Sequence, residues 1–488
     1  MPETNEFLIE EAAELLSTGQ LSSAELTESC LARIAATDQS VGSFLKVTDE
    51  LARVQAAASD KRRGEGDTLG PLDGIPIGLK DLFITKDVAT TCASRVLAGF
   101  RPRFDGTLAE RLGRAGAGLV GKLNMDEFAM GSSTENSALG DTRNPWDLTR
   151  VPGGSSGGSA TAVAARQALG TFGTDTGGSI RLPASYCGVV GMKPTYGRVS
   201  RYGMVAFASS LDQAGPLANS VRGAALLLGA VAGHDPRDST SIDAPVPDYT
   251  EGIDGGVAGL KVGVPAEFFV DGLEPDVESA TLRALAALEA AGAELVEVSL
   301  PHTEYAVATY YIIATAEASS NLGRYDGVRY GLRQGGDKGL GDMYGATRNA
   351  GFGAEVKRRI MLGTYALSAG YYDAYYLKAM KVRTLIRQDF DRAFETCDVL
   401  AMPTAATTAF EAGTREDPLA MYLSDVLTIS ANLAGLPAIS LPSGLDAGGL
   451  PVGLQMVAPV LAEQLMFRAA AAYETAGGWN AAAPALVG

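Results

Sequence analysis

The chain has 488 residues, of which 46% are hydrophobic and 20% charged, and its formal net charge is −17. This length allows one large domain or two to three smaller ones, with a sizeable buried core. An acidic surface repels phosphate backbones, so extensive nucleic-acid binding by this chain alone is disfavoured.

The N-terminal sequence and the cysteines favour a cytoplasmic protein. The chain begins MPETNEFLIEEAAELL, which is acidic and amphipathic, unlike the basic and then apolar start of a signal peptide. No apolar stretch reaches the roughly 18 uncharged residues that cross a bilayer, so we expect no membrane association. The cysteines are scattered without a C-x-x-C pair, which predicts reduced thiols: Cys30, Cys92, Cys187 and Cys397.

Helical and strand patterns alternate along the chain. The N-terminal region, about residues 1–65, reads as helices, with apolar residues at helical spacing over 7–17 and a cap at Ser22 or Ser23. The later predicted elements are strand 74–84, helix 107–116, strand 117–125, strand 260–265, helix 275–291, strand 293–300, helix 381–396, strand 398–404, a closing strand pair at 437–444 and 451–459, and helix 462–476. This alternation predicts an α/β architecture with a central sheet, and no clean linker divides the chain.

A glycine- and serine-rich segment at 153–159, GGSSGGS, opens a helix of small residues. Such a loop aims backbone N–H groups at one point, which suits an anion or a developing oxyanion. Gly153, Ser155 and Gly157 also match the G-x-S-x-G elbow of α/β-hydrolases, whose serine needs a histidine base. The chain has two histidines, His234 and His302, and both read as ordinary surface residues, so a Ser–His triad is disfavoured.

Other known motifs fit this sequence poorly. The GGSSGGS segment lacks the Gly-Lys-Ser/Thr ending of a P-loop, and no strand leads into a dinucleotide-binding G-x-G-x-x-G turn. An S-x-x-K motif occurs at Ser43–Lys46 without its companion elements, so we attribute it to chance. Two isolated histidines and no cysteine cluster offer no metal ligand set, and we expect no metal site.

A serine activated by lysine remains as the chemistry that the residues support. Lys80 ends the apolar segment GIPIGLK, where burial would lower its pKa towards neutrality and make it a base. Ser179 follows Gly177 and Gly178, whose N–H groups can turn inward as an oxyanion hole requires. Taken alone, either feature is more often a solvated strand end or a simple turn.

Lys80, Ser155 and Ser179 together resemble the catalytic set of the amidase-signature family. The resemblance covers residues 151–195 almost continuously, including the run CGVVGMKPT. It implies Ser179 as the acyl-enzyme nucleophile, Ser155 after a cis peptide bond as a proton bridge, and Lys80 as the base. It also implies an oxyanion hole built from the backbone N–H groups of Thr176, Gly177 and Gly178. The fold it implies is one α/β domain over residues 1–488, a large twisted mixed sheet covered by helices on both faces, with the N-terminal helical region packed on it.

The rest of the chain resembles one branch of that family, the A subunits of glutamyl-tRNA(Gln) or aspartyl-tRNA(Asn) amidotransferases. The matching stretches are residues 121–147, 201–217, 355–386 and 432–442. The resemblance implies glutamine hydrolysis here and transfer of ammonia to a B subunit, which amidates a misacylated tRNA with ATP and Mg²⁺. A small C subunit would clamp the heterotrimer, and this chain would need no cofactor. The sequence leaves open which of the two tRNAs is served.

Recognition of glutamine needs a cation for its α-carboxylate and an anion for its α-ammonium. By position, Arg359 resembles the carboxylate-binding arginine of the branch and Asp425 the ammonium-binding aspartate, with Tyr310 nearby. The adjacent Arg358 is an alternative to Arg359. One departure is visible, since the usual PTAPTT run reads PTAATT at 403–408, which removes no catalytic group.

Two rival functions stay open. A stand-alone amidase for small carboxamides would share the triad but would not need Arg359 and Asp425. A catalytically silent scaffold subunit is the other rival, although it would have no reason to retain Lys80, Ser155 and Ser179 together.

Overall fold

The fold is seen in a computed structural model, which describes residues 4–269, 271–337, 339–415, 417–477 and 483–486. Residues 1–3 of the predicted N-terminal helical region and the chain's last two residues lie outside the described part. Within the described part, no helix is long and apolar enough to cross a membrane.

Helices make up much of the described chain. They are Ile9–Ser17 (α1), Ser23–Val41 (α2), Asp49–Glu65 (α3), Thr107–Arg114 (α4), Gly157–Ala164 (α5), Arg181–Cys187 (α6), Val221–Val231 (α7), Pro275–Ala290 (α8), Ala306–Asn321 (α9), Leu340–Gly351 (α10), Ala354–Ala366 (α11), Lys378–Ala393 (α12), Pro418–Tyr422 (α13), Ile429–Ala434 (α14) and Glu463–Gly477 (α15). The predicted cap is present, because the Ser22 side chain accepts a hydrogen bond from the backbone N–H of Glu25 at the start of α2.

A single mixed sheet of eleven strands organises the described chain. Its strands are Phe44–Val47 (β1), Pro76–Lys80 (β2), Gly118–Leu123 (β3), Gly170–Asp175 (β4), Val190–Lys193 (β5), Gln213–Ala218 (β6), Lys261–Pro265 (β7), Glu294–Val298 (β8), Val399–Pro403 (β9), Ala438–Leu445 (β10) and Pro451–Val457 (β11). They lie in the order β1-β3-β2-β4-β6-β5-β10-β11-β9-β7-β8. The predicted closing pair, β10 and β11, is antiparallel, whereas β2 is parallel to both β3 and β4.

Helices cover both faces of the sheet, as alternate positions of β4 show. A Cβ at Gly170 would meet the side chains of Leu227 in α7 and Ile9 in α1. A Cβ at Gly173 would meet Ser156, at the start of α5, and the residue before α6. Positions an odd number of residues apart point to opposite faces of a strand, so these helices lie on opposite sides. The prediction of an α/β fold with a large mixed sheet is confirmed.

The N-terminal helices contact the rest of the molecule directly. The Ser23 hydroxyl donates to the carbonyl of Gly74 at 2.9 Å, and Arg33 Nε donates to the carbonyl of Ala165 at 3.0 Å. Strand β1 was not predicted, because the sequence pattern of this region is helical throughout. It pairs antiparallel with β3 at the edge of the sheet. The extent of a single domain over residues 1–488 stays a prediction.

Candidate active site

Lys80 is the last residue of β2 and is fully buried. Its Nζ donates hydrogen bonds to Ser155 Oγ at 2.7 Å, Ser156 Oγ at 2.8 Å and Thr174 Oγ1 at 3.0 Å. Burial lowers the pKa of Lys80 to about 7, although nearby carboxylates, with that of Asp126 foremost, partly offset this effect. A lysine with this pKa exchanges its proton near neutral pH, as a general base must.

Ser155 and Ser156 form the turn that leads into α5. The peptide bond between Gly154 and Ser155 is cis, as the resemblance implied. A Cβ at Gly154 would lie 2.2 Å from Asp126 Oδ2, so the close approach at this position requires glycine. The backbone N–H of Ser156 donates to the carbonyl oxygen of Ser179 at 3.1 Å. The structure therefore brings the predicted base, proton bridge and nucleophile to one place.

The hydroxyl of Ser179 is free to meet a substrate. The residue is 7% exposed, and its hydroxyl makes no hydrogen bond to any described residue, Ser155 included. Catalytic hydrogen bonds are often long in unliganded enzymes and tighten when substrate binds. The arrangement thus provides a buried lysine–serine contact beside a free serine hydroxyl.

A buried ion pair fixes the turn that carries Ser179. Asp175 ends β4 and Arg181 begins α6, and the Arg181 guanidinium donates to the Asp175 carboxylate from Nε at 2.9 Å and from Nη2 at 3.0 Å. Asn432 Nδ2 adds a third donor at 2.8 Å. Burial alone raises the pKa of Asp175, but Arg181 and these donors outweigh it and lower the pKa to about 2. The carboxylate is therefore charged at neutral pH and ties the two ends of the turn together.

The backbone N–H groups of the turn differ in their hydrogen bonding. The N–H of Gly178 donates to Asp175 Oδ1 at 2.8 Å, which differs from its expected place in the oxyanion hole. Among the described residues, no acceptor bonds the N–H groups of Thr176, Gly177 and Ser179. Gly178 also has φ of 139°, a conformation that glycine adopts readily and other residues rarely do. The N–H groups available to an oxyanion are thus those of Thr176, Gly177 and Ser179.

Asp425 lies directly beside the turn at residues 176–179, the nucleophile turn, which carries Ser179. Its Oδ1 would be 3.1 Å from a Cβ at Gly178, and it makes no hydrogen bond within the described part of the chain. Its Oδ2 accepts a hydrogen bond from Ser132 Oγ at 2.5 Å. Burial raises the pKa of Asp425 to about 7, although the Ser132 hydroxyl works in the opposite direction. This carboxyl can receive one further donor at Oδ1.

Arg359 points inward from α11, whereas Arg358 points outward. The Arg359 residue is 2% exposed and its Nε donates to Glu355 Oε1 at 2.7 Å, while the Arg358 side chain is 43% exposed. The Arg359 guanidinium lies 5.2–5.6 Å from the ring centres of three aromatic residues: Phe207, Tyr311 and Tyr422. Its two terminal nitrogens make no hydrogen bond to any described residue. The geometry therefore favours Arg359 over Arg358 as an anion-binding group.

Tyr310 packs against the nucleophile turn from α9. A Cβ at Gly177 would lie 2.7 Å from Cζ and 2.9 Å from the hydroxyl of Tyr310. The ring is buried, and burial raises the pKa of Tyr310 well above its usual value, so the phenol stays protonated. The predicted residue thus stands at the site as a neutral hydrogen-bond donor.

A cavity of about 260 Å³ is lined by part of this site. Its lining includes Gly131, Ser133, Glu355, Tyr422 and both Arg358 and Arg359, but neither Ser179 nor Asp425. Three larger cavities, of about 300, 600 and 630 Å³, contain none of the predicted site residues in their linings. The chemistry of the side chains, and not cavity size, therefore identifies the site.

Sequence reasoning missed several residues that complete the site. They are Ser132 on Asp425, Glu355 on Arg359, Ser156 and Thr174 on Lys80, and the Asp175–Arg181 pair under the turn. Ser132 and Glu355 lie inside stretches that matched the A-subunit branch, which was the available signal. Nothing in the spacing of Thr174 or Asp175 distinguishes them from other strand-end residues.

Comparison with known proteins identifies the family of the chain. The family model described as Amidase matches residues 25–467. The glutamyl-tRNA(Gln) amidotransferase A subunit of Geobacter metallireducens is 58% identical over 473 residues, which is 97% of each chain. The crystal structure of the protein of the same name from Thermotoga maritima is 44% identical, with a TM-score of 0.81 over 97% of this chain and 95% of that one. A peptide amidase from Stenotrophomonas maltophilia is 32% identical, with a TM-score of 0.84 over 97% of both chains.

The fold and the lysine–serine site define an enzyme of the amidase class. The chain belongs to the amidase family, in the branch of the glutamyl-tRNA(Gln) amidotransferase A subunits.

Proposed function

We propose that this chain is the glutaminase subunit of a tRNA-dependent amidotransferase. It hydrolyses glutamine through Lys80, Ser155 and Ser179 and supplies ammonia to a partner subunit. That partner converts Glu-tRNA(Gln), Asp-tRNA(Asn) or both to the amidated form in an ATP-dependent reaction.

The observation that carries this proposal is a buried carboxyl group beside the nucleophile turn together with a buried guanidinium group in α11. Among the described residues, one carboxylate oxygen of Asp425 beside the turn and the two terminal nitrogens of Arg359 in a nearby cavity wall have no hydrogen-bond partner. Free glutamine carries both an α-ammonium and an α-carboxylate group, which match these two charges. A simple carboxamide has neither group and would gain nothing from them.

The first half of the reaction forms an acyl-enzyme. Neutral Lys80 takes the hydroxyl proton of Ser155, which takes that of Ser179, and Ser179 Oγ bonds to the carboxamide carbon. The oxyanion that forms receives the N–H groups of Thr176, Gly177 and Ser179. The C–N bond then breaks as the proton returns through Ser155 to the nitrogen, and ammonia leaves.

The second half regenerates the enzyme. A water molecule loses a proton through Ser155 to Lys80 and attacks the ester carbon, again forming an oxyanion. The bond from that carbon to Ser179 Oγ breaks, Oγ recovers the proton, and glutamate is released. Lys80 begins and ends the cycle as the free amine, so its lowered pKa suits both halves.

The partners in this proposal are two further subunits, B and a smaller C, which complete a heterotrimer. The relatives with 58% identity are named as A subunits of an amidotransferase, which supports an assembly of this kind. ATP and Mg²⁺ would bind the B subunit, whereas this chain would need no cofactor. The net charge of −17 supports a division of labour in which the misacylated tRNA is held through the complex. The assembly would act in the cytoplasm.

Ammonia release tests the proposed function. We expect the purified chain to release ammonia from glutamine when it is assembled with its B and C partners, and to do so weakly or not at all alone. The same preparations are assayed with a simple aliphatic amide. If glutamine is inert in both settings while the simple amide is cleaved, the chain is a stand-alone amidase. If neither is cleaved in either setting, it is a scaffold.

The two adjacent arginines provide a sharper prediction. We expect Arg359→Met to raise KM for glutamine at least about thirtyfold, because truncating one partner of a buried charge pair costs about 2–5 kcal/mol. Arg358→Met is the matched control and should change KM less than about threefold, since its side chain is 43% exposed. Steady-state ammonia release measures both. A larger effect at Arg358 would reverse the assignment.

A further inference from the structure

Ser132 is the one described side chain that donates a hydrogen bond to the carboxylate of Asp425. Ser132 is 1% exposed and Asp425 is 6% exposed, so water contributes little to this contact. The hydrogen bond occupies Oδ2 and leaves Oδ1, the oxygen beside Gly178, without a donor in the part of the chain that the structure describes. A buried carboxylate oxygen that lacks a donor is costly, so a cationic donor from the substrate would be strongly favoured there.

The loop that carries Ser132 is itself held in place. Asp126 accepts hydrogen bonds from the backbone N–H groups of Thr134 at 2.9 Å and Asn136 at 3.1 Å. A Cβ at Gly131 would lie 2.3 Å from the carboxyl carbon of Asp126, so loop and carboxylate are in close contact. The Ser132 hydroxyl is therefore presented to Asp425 from a fixed position.

No described lysine or arginine forms an ion pair with Asp425. Arg181 is committed to Asp175, and Arg359 donates to Glu355. These two cations act on Asp425 only at longer range, in opposition to the nearby Asp175 carboxylate. Since local cations are engaged elsewhere, the hydroxyl of Ser132 is the main local group that stabilises the charged form of Asp425.

We propose that Ser132 is a positioning residue that orients the Asp425 carboxylate towards the α-ammonium group of the substrate and so makes this site select amides that carry an α-amino group. The proposal rests on the proposed glutaminase function and adds a determinant of substrate choice to it. Ser132 acts through Asp425 and touches none of the reacting atoms.

The test compares glutamine with 4-carbamoylbutanoate, which is glutamine without its α-amino group. In the assembled enzyme, Ser132→Ala should raise KM for glutamine roughly tenfold to a hundredfold, the effect of losing a hydrogen bond to a charged group. The kcat for glutamine should stay within about threefold, and KM for 4-carbamoylbutanoate should not change. Ser132→Thr, which keeps the hydroxyl, should restore most of the affinity for glutamine.

A matched control separates this role from a general packing effect. Ser440 is buried in β10 and its hydroxyl pairs with Thr404 Oγ1 at 2.9 Å, and it has no hydrogen bond to Asp425 or to the nucleophile turn within the described residues. We expect Ser440→Ala to remove a comparable buried hydrogen bond without any change in the ratio of the two KM values. A change of that ratio in Ser440→Ala equal to that in Ser132→Ala would overturn the proposal.

The pH dependence of KM gives a second readout. Burial raises the pKa of Asp425 to about 7, so KM for glutamine should fall as pH rises through that value and Asp425 ionises. Loss of the Ser132 hydroxyl, which lowers this pKa, should move the midpoint to higher pH. The other titratable or charged groups that interact with Asp425 are Asp175, Arg181, Arg359, Tyr186, Tyr310 and Tyr311. These groups are the same in the wild type and in Ser132→Ala. The KM for 4-carbamoylbutanoate should not depend on pH in this way.

The outcomes distinguish the two proposals. If the wild-type assembly hydrolyses glutamine but Ser132→Ala affects both substrates equally, or affects neither, the role of Ser132 is overturned and the glutaminase function stands. If the wild-type assembly does not hydrolyse glutamine, the proposed function fails and the role of Ser132 fails with it. A selective loss for glutamine that the threonine variant restores supports both.

Discussion

Ser179→Ala should abolish ammonia release from glutamine, with a loss in kcat of at least about 10⁴-fold, the scale seen when a nucleophile of this kind is removed. The hydroxyl of Ser179 makes no hydrogen bond to any described residue, and the carbonyl oxygen of Ser179 accepts from Ser156, next to the buried Lys80–Ser155 contact. Without Oγ no acyl-enzyme can form. The residual rate should be that of positioned water alone.

The same substitution should leave the fold intact. The Ser179 hydroxyl makes no hydrogen bond to any described residue, so its removal leaves no buried donor or acceptor unsatisfied. The midpoint of thermal unfolding of the variant should therefore lie within about 2 °C of the wild-type value. A stable variant that still turns over glutamine at more than about a hundredth of the wild-type rate would show that another group is the nucleophile.

Lys80, Ser155 and Ser179 could be grouped from the sequence because their spacing matches that of the family. A lysine after an apolar strand and a serine after two glycines are weak signals alone. The partners of Lys80 were not predictable in the same way. Thr174 reaches Lys80 because β2 and β4 are adjacent and parallel, which is a pairing between residues far apart in sequence. Neither local propensity nor periodicity contains that information.

The choice between Arg358 and Arg359 shows another limit of the sequence. Consecutive positions on an α-helix point about 100° apart, so neighbours of the same type can have opposite surroundings. Here Arg359 packs among aromatic rings while Arg358 is largely exposed, although both contact Glu355. The orientation depends on how α11 packs against α9, which the helical pattern alone did not specify.

The strands were predicted better than their arrangement. The pair at 437–444 and 451–459 was placed correctly as β10 and β11 because both are apolar segments joined by a short turn. The position of β5 between β6 and β10 was not predicted, since strand order depends on contacts between distant segments. The hydrogen bonding of the nucleophile turn was likewise not predicted. The N–H of Gly178 is engaged because Asp175 folds back under the turn, a detail of side-chain packing.

Substitution of Lys80 should cause the second large loss of activity. Lys80→Met should lower kcat by about 10²–10⁴-fold, the usual contribution of a general base, while leaving the binding of glutamine at Asp425 and Arg359 in place. Lys80→Arg keeps the charge but holds a proton at every working pH, so it should be at least as inactive. If the arginine variant retained activity, a positive charge and not a base would be the requirement.

The pH dependence of kcat distinguishes a base from a structural cation. Burial lowers the pKa of Lys80 to about 7, so the neutral amine disappears below that pH and kcat should fall about tenfold per pH unit. The assay uses saturating 4-carbamoylbutanoate, because that substrate has no α-ammonium group and its binding does not depend on the ionisation of Asp425. A kcat for this substrate that stays constant from pH 5 to 8 would exclude Lys80 as the titrating base.

Protein stability gives an independent measure of the same group. Between its folded pKa of about 7 and the usual lysine value of 10.5, Lys80 binds fewer protons in the folded chain than in the unfolded chain. The free energy of unfolding should therefore rise with pH across that window, and Lys80→Met should lose this part of the rise. The decisive result is a wild-type kcat that rises through pH 7, with Lys80→Met lacking both that rise and its share of the rise in the free energy of unfolding. The proton that limits catalysis would then be the one bound by the buried Lys80 amine.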